Sequence, residues 1–217
     1  PGLSPDTTGQ FILVSSSDDG ITWSAPDNIT AQVKNPAWHL FFNGPGNGIA
    51  MQDGKLVFAA QYWDEVKKPY STIVYSDDHG ATWRGGINGP KSNTTESQVV
   101  ETIPGTLMLN MRDNRGGFRS VATTADMGAG WTEHATSYNA LVDPVCMASI
   151  IKTKVKMKGS MRDVLFFSNV ASRTGRINMT IKASLDDGET WLEANQLLVD
   201  ERLCFGYSCL TKIDDNT

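Results

Sequence analysis

The sequence predicts an all-β protein of the propeller type, built from repeated four-stranded sheets. Three observations lead there: a turn motif that recurs at blade-sized intervals, period-two alternation in the segments before it, and no pattern long enough for a helix of three turns. The motif is Ser-x-Asp-x-Gly-x-Thr-Trp. It occurs at Ser16, Asp18, Gly20, Thr22 and Trp23, then at Ser76, Asp78, Gly80, Thr82 and Trp83, and again at Ser184, Asp186, Gly188, Thr190 and Trp191. A degenerate copy, Thr124, Asp126, Gly128, Gly130 and Trp131, lies between the last two, so the copies begin at Ser16, Ser76, Thr124 and Ser184. These intervals are those of a four-stranded blade with a variable loop, and four copies are a strong signal where one would be moderate.

Each part of the motif has a structural reason. A short Asp side chain can bond backbone amides across a hairpin bend, Gly supplies a positive φ, and Trp covers the bend. These Asp residues are therefore turn formers first, ahead of any reading as acids or Ca²⁺ ligands. The preceding segments alternate as half-buried strands do: Ile177, Met179, Ile181 and Ala183 against Asn178, Thr180, Lys182 and Ser184, and likewise Leu107, Leu109 and Met111. Shorter β-branched or aromatic runs, 11–14, 56–60, 73–75 and 164–167, end at turn signals and complete the strand list.

If the strand entering each motif is the third of its blade, the motifs lie on one face and strand two runs back to the other. Tight turns then join strands one and two at Asp53-Gly54 and Pro104-Gly105, with a further one expected at 214–217. On this frame Glu96 starts a strand one, Arg112 ends the following strand two, Arg176 tops a strand three, and Tyr207, in Gly206-Tyr207-Ser208-Cys209-Leu210, starts the next strand one. Glu96 and Tyr207 are repeat-equivalent, two blades apart. A carboxylate, two guanidiniums and a phenol are thus expected on one rim. Any one of them alone would be ordinary, since rim Arg residues are usually solvated and strand Tyr residues usually pack.

Composition narrows the function. The 217 residues are 40% hydrophobic and 20% charged, enough for a sizeable core. Nineteen Lys plus Arg against 24 Asp plus Glu leave a charge of −5, and no basic block exceeds two residues, which argues against nucleic acid or a polybasic membrane anchor. No apolar run approaches the ~18 residues of a membrane span. The three cysteines, Cys146, Cys204 and Cys209, support neither a disulfide framework nor a zinc site, and His39, His79 and His134 are scattered, so no metal and no cofactor are expected.

Two Arg forks aimed at one point suit a planar carboxylate, so the substrate is expected to be an acid. A phenol of pKa ~10 is a weak nucleophile unless a base such as Glu takes its proton. The pair makes sense where the electrophilic carbon bears a carboxylate, because a charged nucleophile would be repelled and a neutral phenol is not.

The residues also carry a family resemblance. The repeated turns resemble the Asp boxes of sialidases. Thr94-Thr95-Glu96-Ser97-Gln98-Val99-Val100-Glu101, Leu107-Met108-Leu109-Asn110-Met111-Arg112-Asp113-Asn114, Phe167-Ser168-Asn169 with Gly175-Arg176-Ile177-Asn178-Met179, and Gly206-Tyr207-Ser208 are similar to segments of bacterial exo-α-sialidases of the Bacteroides type. The resemblance implies a six-bladed propeller and hydrolysis of terminal α-linked sialic acids, with retention, through a sialyl-tyrosine intermediate. It implies Tyr207 as nucleophile, Glu96 as its base, and Arg112 and Arg176 as two of three carboxylate clamps. The implied partners are sialylated glycans on glycoproteins, gangliosides or oligosaccharides, and the implied address is secreted, periplasmic or cell-surface, although the chain shows no targeting segment. The family's N-terminal Arg-Ile-Pro, bearing the first clamp, and its nearby acidic Asp find no counterpart, the first Arg being Arg84. At ~50 to 60 residues per blade a six-bladed ring needs ~300 or more, so residues 1–217 are expected to be part of one catalytic propeller domain, about four blades, with little turnover alone.

Weaker signals remain. Gln61 and Trp63, at the top of a strand two, are candidate sugar contacts, with packing or solvent exposure the commoner reading. Arg115 and Arg119 are expected at the surface, and Cys209 as a small buried residue. Two rival functions stay open: a non-catalytic Asp-box propeller binding carbohydrate or protein, and a trans-sialidase or glycosidase for another 2-keto acid sugar.

Overall fold

Within the computed structural model, Ser4 and residues 9–213 are described. The chain lays down strands in radial groups. β1 (Ile12–Leu13) and β2 (Asp27–Asn28) form a two-stranded ribbon with Ile12 opposite Asn28, and a four-residue helix, α1 (Thr30–Val33), follows. β3 (Phe41–Asn43) and β4 (Ile49–Ala50) are two halves of one inner strand, both paired to β5 (Leu56–Trp63), which pairs outward with β6 (Pro69–Ser76). The inner strand is broken by the run Asn43-Gly44-Pro45-Gly46-Asn47-Gly48, where Gly46 has φ +111° and a Cβ would overlap Gln98, so only glycine fits.

The next sheet is the most regular: β7 (Thr94–Glu101), β8 (Leu107–Asp113), β10 (Ser120–Thr124) and β11 (Thr132–Glu133), in the order 11-10-8-7. Between its members β9 (Gly117–Phe118) reaches out to pair with β12 (Val142–Asp143). The last sheet runs β13 (Ser149–Met157), β14 (Ser160–Val170), β15 (Met179–Ser184) and β16 (Gln196–Asp200), antiparallel throughout. β15 begins at Met179, two residues later than the alternation suggested, because Asn178 adopts φ +58° and interrupts the extended backbone.

All four motif turns form as their chemistry requires. In the second, the Ser76 hydroxyl donates to Asp78 at 2.8 Å, while Asp78 accepts from the Thr82 amide at 2.8 Å and the Thr82 hydroxyl at 2.6 Å. Asp19, His79, Met127 and Asp187 fall in the left-handed region at φ +55° to +59°, each followed by a Gly of positive φ. These bonds hold the Asp18 and Asp78 carboxyls down to about 2, the Thr hydroxyl and amide being the main cause.

Cores form between sheets. Leu107, Leu109 and Met111 of β8 face Val57, Ala59 and Ile73, while Met108 on the opposite face packs with Val121, Leu165 and Phe167. By strand parity Asn110 and Arg112 share the face on which Met108 packs against the last sheet. The array does not close on itself, and the first and last sheets keep apolar residues in solvent, Trp23 at 61% and Leu197 at 62% exposure. Among the described residues no helix is long and apolar enough to cross a membrane.

Candidate active site

Glu96 lies on β7 at an irregularity in the ladder. Thr94 pairs with Asp113 and Ser97 with Met111, so Thr95 and Glu96 together face the single residue Arg112. The bulge turns the Glu96 side chain toward the rim, a use of bulges common beside reactive groups. Arg112 Nη1 donates to Glu96 Oε2 at 2.5 Å and to the Tyr207 hydroxyl at 3.0 Å. The Tyr207 hydroxyl donates to Glu96, 2.6 Å from Oε1 and 2.8 Å from Oε2. Carboxylate, phenol and guanidinium therefore form a closed triangle. Arg112 and Glu96 keep 20% and 19% side-chain exposure, so the triangle can be reached from solvent.

Tyr207 arrives by a different route from the one expected. Residues 201–213 form no strand, and among the described residues no neighbouring strand of a further sheet lies beside them to supply a ladder. Single backbone and side-chain hydrogen bonds tether the segment instead. The Cys204 amide donates to the Arg176 carbonyl at 2.9 Å, Arg176 Nη1 to the Phe205 carbonyl at 2.7 Å, the Ser208 hydroxyl to the Ser168 carbonyl at 2.9 Å, and the Leu210 amide to the Ser149 hydroxyl at 3.0 Å. Gly206 and Tyr207 have φ +76° and +59°, the second being a conformation that bulky residues avoid. Arg176, in the loop before β15, lies with its guanidinium 5.6 Å from the Tyr207 ring centre. Its hydrogen bond goes to the backbone that carries the phenol, and not to Glu96.

Electrostatics follow from these contacts. Burial, and then the Glu96 hydrogen bond and charge, raise the Tyr207 phenol above its ordinary value, against the pull of Arg112. Burial works to lower the Arg112 guanidinium, but the Glu96 bond and charge, with Tyr207, outweigh it and raise it. The phenol is thus kept neutral beside a base already poised to take its proton.

Beneath the triangle sits a residue expected at the surface. Arg119 is fully buried, with Nε donating to Asn110 Oδ1 at 2.8 Å, Nη1 to the Cys146 carbonyl at 2.5 Å, and Nη2 to the Asn110 carbonyl at 3.2 Å. Its ion partner Asp143, also buried, lies at 3.6 Å. Burial lowers the Arg119 guanidinium, with Asp143 the chief opposing influence. Spacing could not show this, because Arg119 and Asp143 are remote in the chain and meet only through the pairing of β9 with β12, which the Arg119 amide extends by donating to the Leu141 carbonyl. The one local signal was Asp143-Pro144, a turn former whose Oδ1 accepts from the Cys146 amide at 2.8 Å. Arg115 stays half exposed, paired to Asp113 at 3.0 Å.

Comparison with known proteins decides the family. The BNR repeat-like domain matches residues 2–216. The chain belongs to the BNR-repeat sialidase family. It is 52% identical, over its whole length, to a sialidase of Bacteroides fragilis, of which it spans 40%. It superposes on the Hadza microbial sialidase Hz136 with a TM-score of 0.91 at 53% identity, covering 99% of this chain and 42% of that one. A Trypanosoma rangeli sialidase in complex with 2,3-difluorosialic acid, described as a covalent intermediate, superposes with a TM-score of 0.72 over 95% of this chain and 34% of that one; at 23% identity it shows the shared fold. The chain thus spans less than half the length of each of these relatives.

In this BNR-repeat sialidase chain Gln61 is buried, its Nε2 without a hydrogen-bond partner among the described residues, and Trp63 is half buried at the end of β5; neither bonds to the triangle. Cys209 is exposed and not buried, although Ser208 and Leu210 on either side of it are tethered to Ser168 and Ser149 of the last sheet. The turn expected at 214–217 lies outside the described residues. Among the described residues no group of three or more His, Cys, Asp or Glu could hold a metal ion.

Proposed function

We propose that this chain carries the nucleophile half of a retaining exo-α-sialidase site acting on terminal sialic acids of glycoconjugates. One observation supports it above the others: the Tyr207 hydroxyl donates to both oxygens of Glu96 while Arg112 bonds both residues. As the phenol oxygen bonds to the anomeric carbon, its proton passes to Glu96 and the bond to the aglycone oxygen breaks. An acid must protonate that oxygen. In this reading the acid, and a further clamp, come from the length of the relatives that residues 1–217 do not span. Water then attacks the same carbon, its proton going to that acid's conjugate base, and Tyr207 departs with its proton returned by Glu96. Arg112 and Arg176 supply forks for the substrate carboxylate, for which Arg112 must share the donors it now gives to Glu96 and Tyr207. A secreted, periplasmic or cell-surface address fits such a substrate.

The test is to express a polypeptide extended to the length of the relatives and assay it on a fluorogenic sialoside. Incubation with 2,3-difluorosialic acid should leave an adduct on the Tyr207 peptide by mass spectrometry, and Tyr207→Phe should remove both activity and adduct. Undiminished turnover by Tyr207→Phe would refute the assignment.

A further inference from the structure

The geometry points to Cys146 as a positioning residue: its turn, pinned from below by Arg119 and Asp143, is the seat that sets where the Gly206-Tyr207 turn holds the phenol. This rests on Tyr207 being the nucleophile. The tethers of residues 204–210 lie on either side of the turn, at Cys204, Phe205, Ser208 and Leu210, and leave its centre to packing. There, a Cβ placed on Gly206 would come within 2.4 Å of Cys146 Sγ, with Val170 and Arg176 next at 3.8 and 3.9 Å. The thiol has little room to swing, because Cys146 is 0% exposed. Nor can its backbone retreat: its amide is held by Asp143 at 2.8 Å and its carbonyl by Arg119 at 2.5 Å. The preceding Val145 stands at φ +67°, which a β-branched residue adopts only when its surroundings dictate it. Arg119 also grips Asn110, two residues before Arg112 on the same face of β8, so one buried cation references both the guanidinium and the phenol.

A phenol shifted by a fraction of an ångström loses its line to Glu96 and to the anomeric carbon without losing the surface that binds substrate, so the effect should fall on kcat. In the extended polypeptide, Cys146→Val, which adds bulk under Gly206, and Gly206→Ala should each lower kcat and the rate of labelling by 2,3-difluorosialic acid tenfold or more, with KM within threefold. Cys146→Ser, of similar size, should stay within threefold of the parent. Cys146→Ala combined with Gly206→Ala should regain at least fivefold over Gly206→Ala, since the clash is relieved. Cys146→Val at parental kcat, or a double variant no faster than Gly206→Ala, overturns the inference; if Cys146→Val does not fold, the Gly206→Ala pair decides. Tyr207→Phe is run alongside. Loss of the adduct there with parental behaviour in the Cys146 and Gly206 variants refutes the positioning role alone, whereas an adduct that persists refutes the nucleophile assignment itself.

Discussion

The hydroxyl of Tyr207 lies 2.6 Å from Glu96 Oε1, although the two residues belong to segments remote from each other in the chain. Neither is placed by its neighbours in the chain alone. A bulge aims Glu96, and a pair of left-handed residues aims Tyr207.

Glu96→Gln keeps the shape of the pair and removes the charge. In the extended polypeptide kcat/KM should fall by about 10² to 10⁴. The carboxylate helps hold the phenol above its ordinary value, so phenolate absorbance assigned to Tyr207 by difference against Tyr207→Phe should appear at lower pH in Glu96→Gln. An unmoved onset would mean that the carboxylate does not govern the phenol.

The two arginines should fail differently. Arg112→Lys loses the planar fork proposed to hold the substrate carboxylate along with the Nη1 that bonds both Glu96 and Tyr207, and KM for a sialoside should rise about tenfold or more. Arg176→Lys also releases the Phe205 carbonyl, so kcat should fall together with the rise in KM. Identical kinetic patterns would contradict this division.

Lys182, on β15, is buried, and burial pulls its amine down to about 8 against the attraction of Asp143. A lysine depressed in the folded state is easier to protonate when unfolded, where its pKa is ~10.4, so stability should rise with pH between about 8 and ~10.4. Lys182→Met should raise the unfolding free energy at pH 7 by about 1 to 3 kcal/mol and flatten that rise, measured by urea titration across pH. A parental slope in the variant would show that another group titrates.

Equivalent motif tryptophans should differ in cost. Trp83 is 6% exposed, donates its backbone amide to the Gln32 side-chain oxygen and packs near Phe58, so Trp83→Ala should cost about 3 to 5 kcal/mol. Trp23→Ala, at a site 61% exposed, should cost no more than about 0.5 kcal/mol in the same chain. Equal losses in denaturant unfolding would show that the motif and not the packing sets the cost.

What the sequence determined by itself is what depends on near neighbours. The four Asp-box turns, the alternation of Leu107, Leu109 and Met111, and the tight turns at Gly54 and Gly105 are local, because a positive φ or a period of two is a property of a few successive residues. The repeat then carried that local reading further, placing Glu96, Arg112, Arg176 and Tyr207 on one rim from blade arithmetic alone. Tertiary structure decided the rest. It buried Arg119, whose charge is tolerated only because Asp143, Asn110 and the Cys146 carbonyl converge on it from two sheets. It left Gly206 to Leu210 irregular, since a strand exists only where another strand lies beside it to bond. It also gave Arg176 a backbone carbonyl to hold. A buried charge, an edge and a tether are each settled by groups distant in the chain, and no period along the sequence records which distant group will arrive.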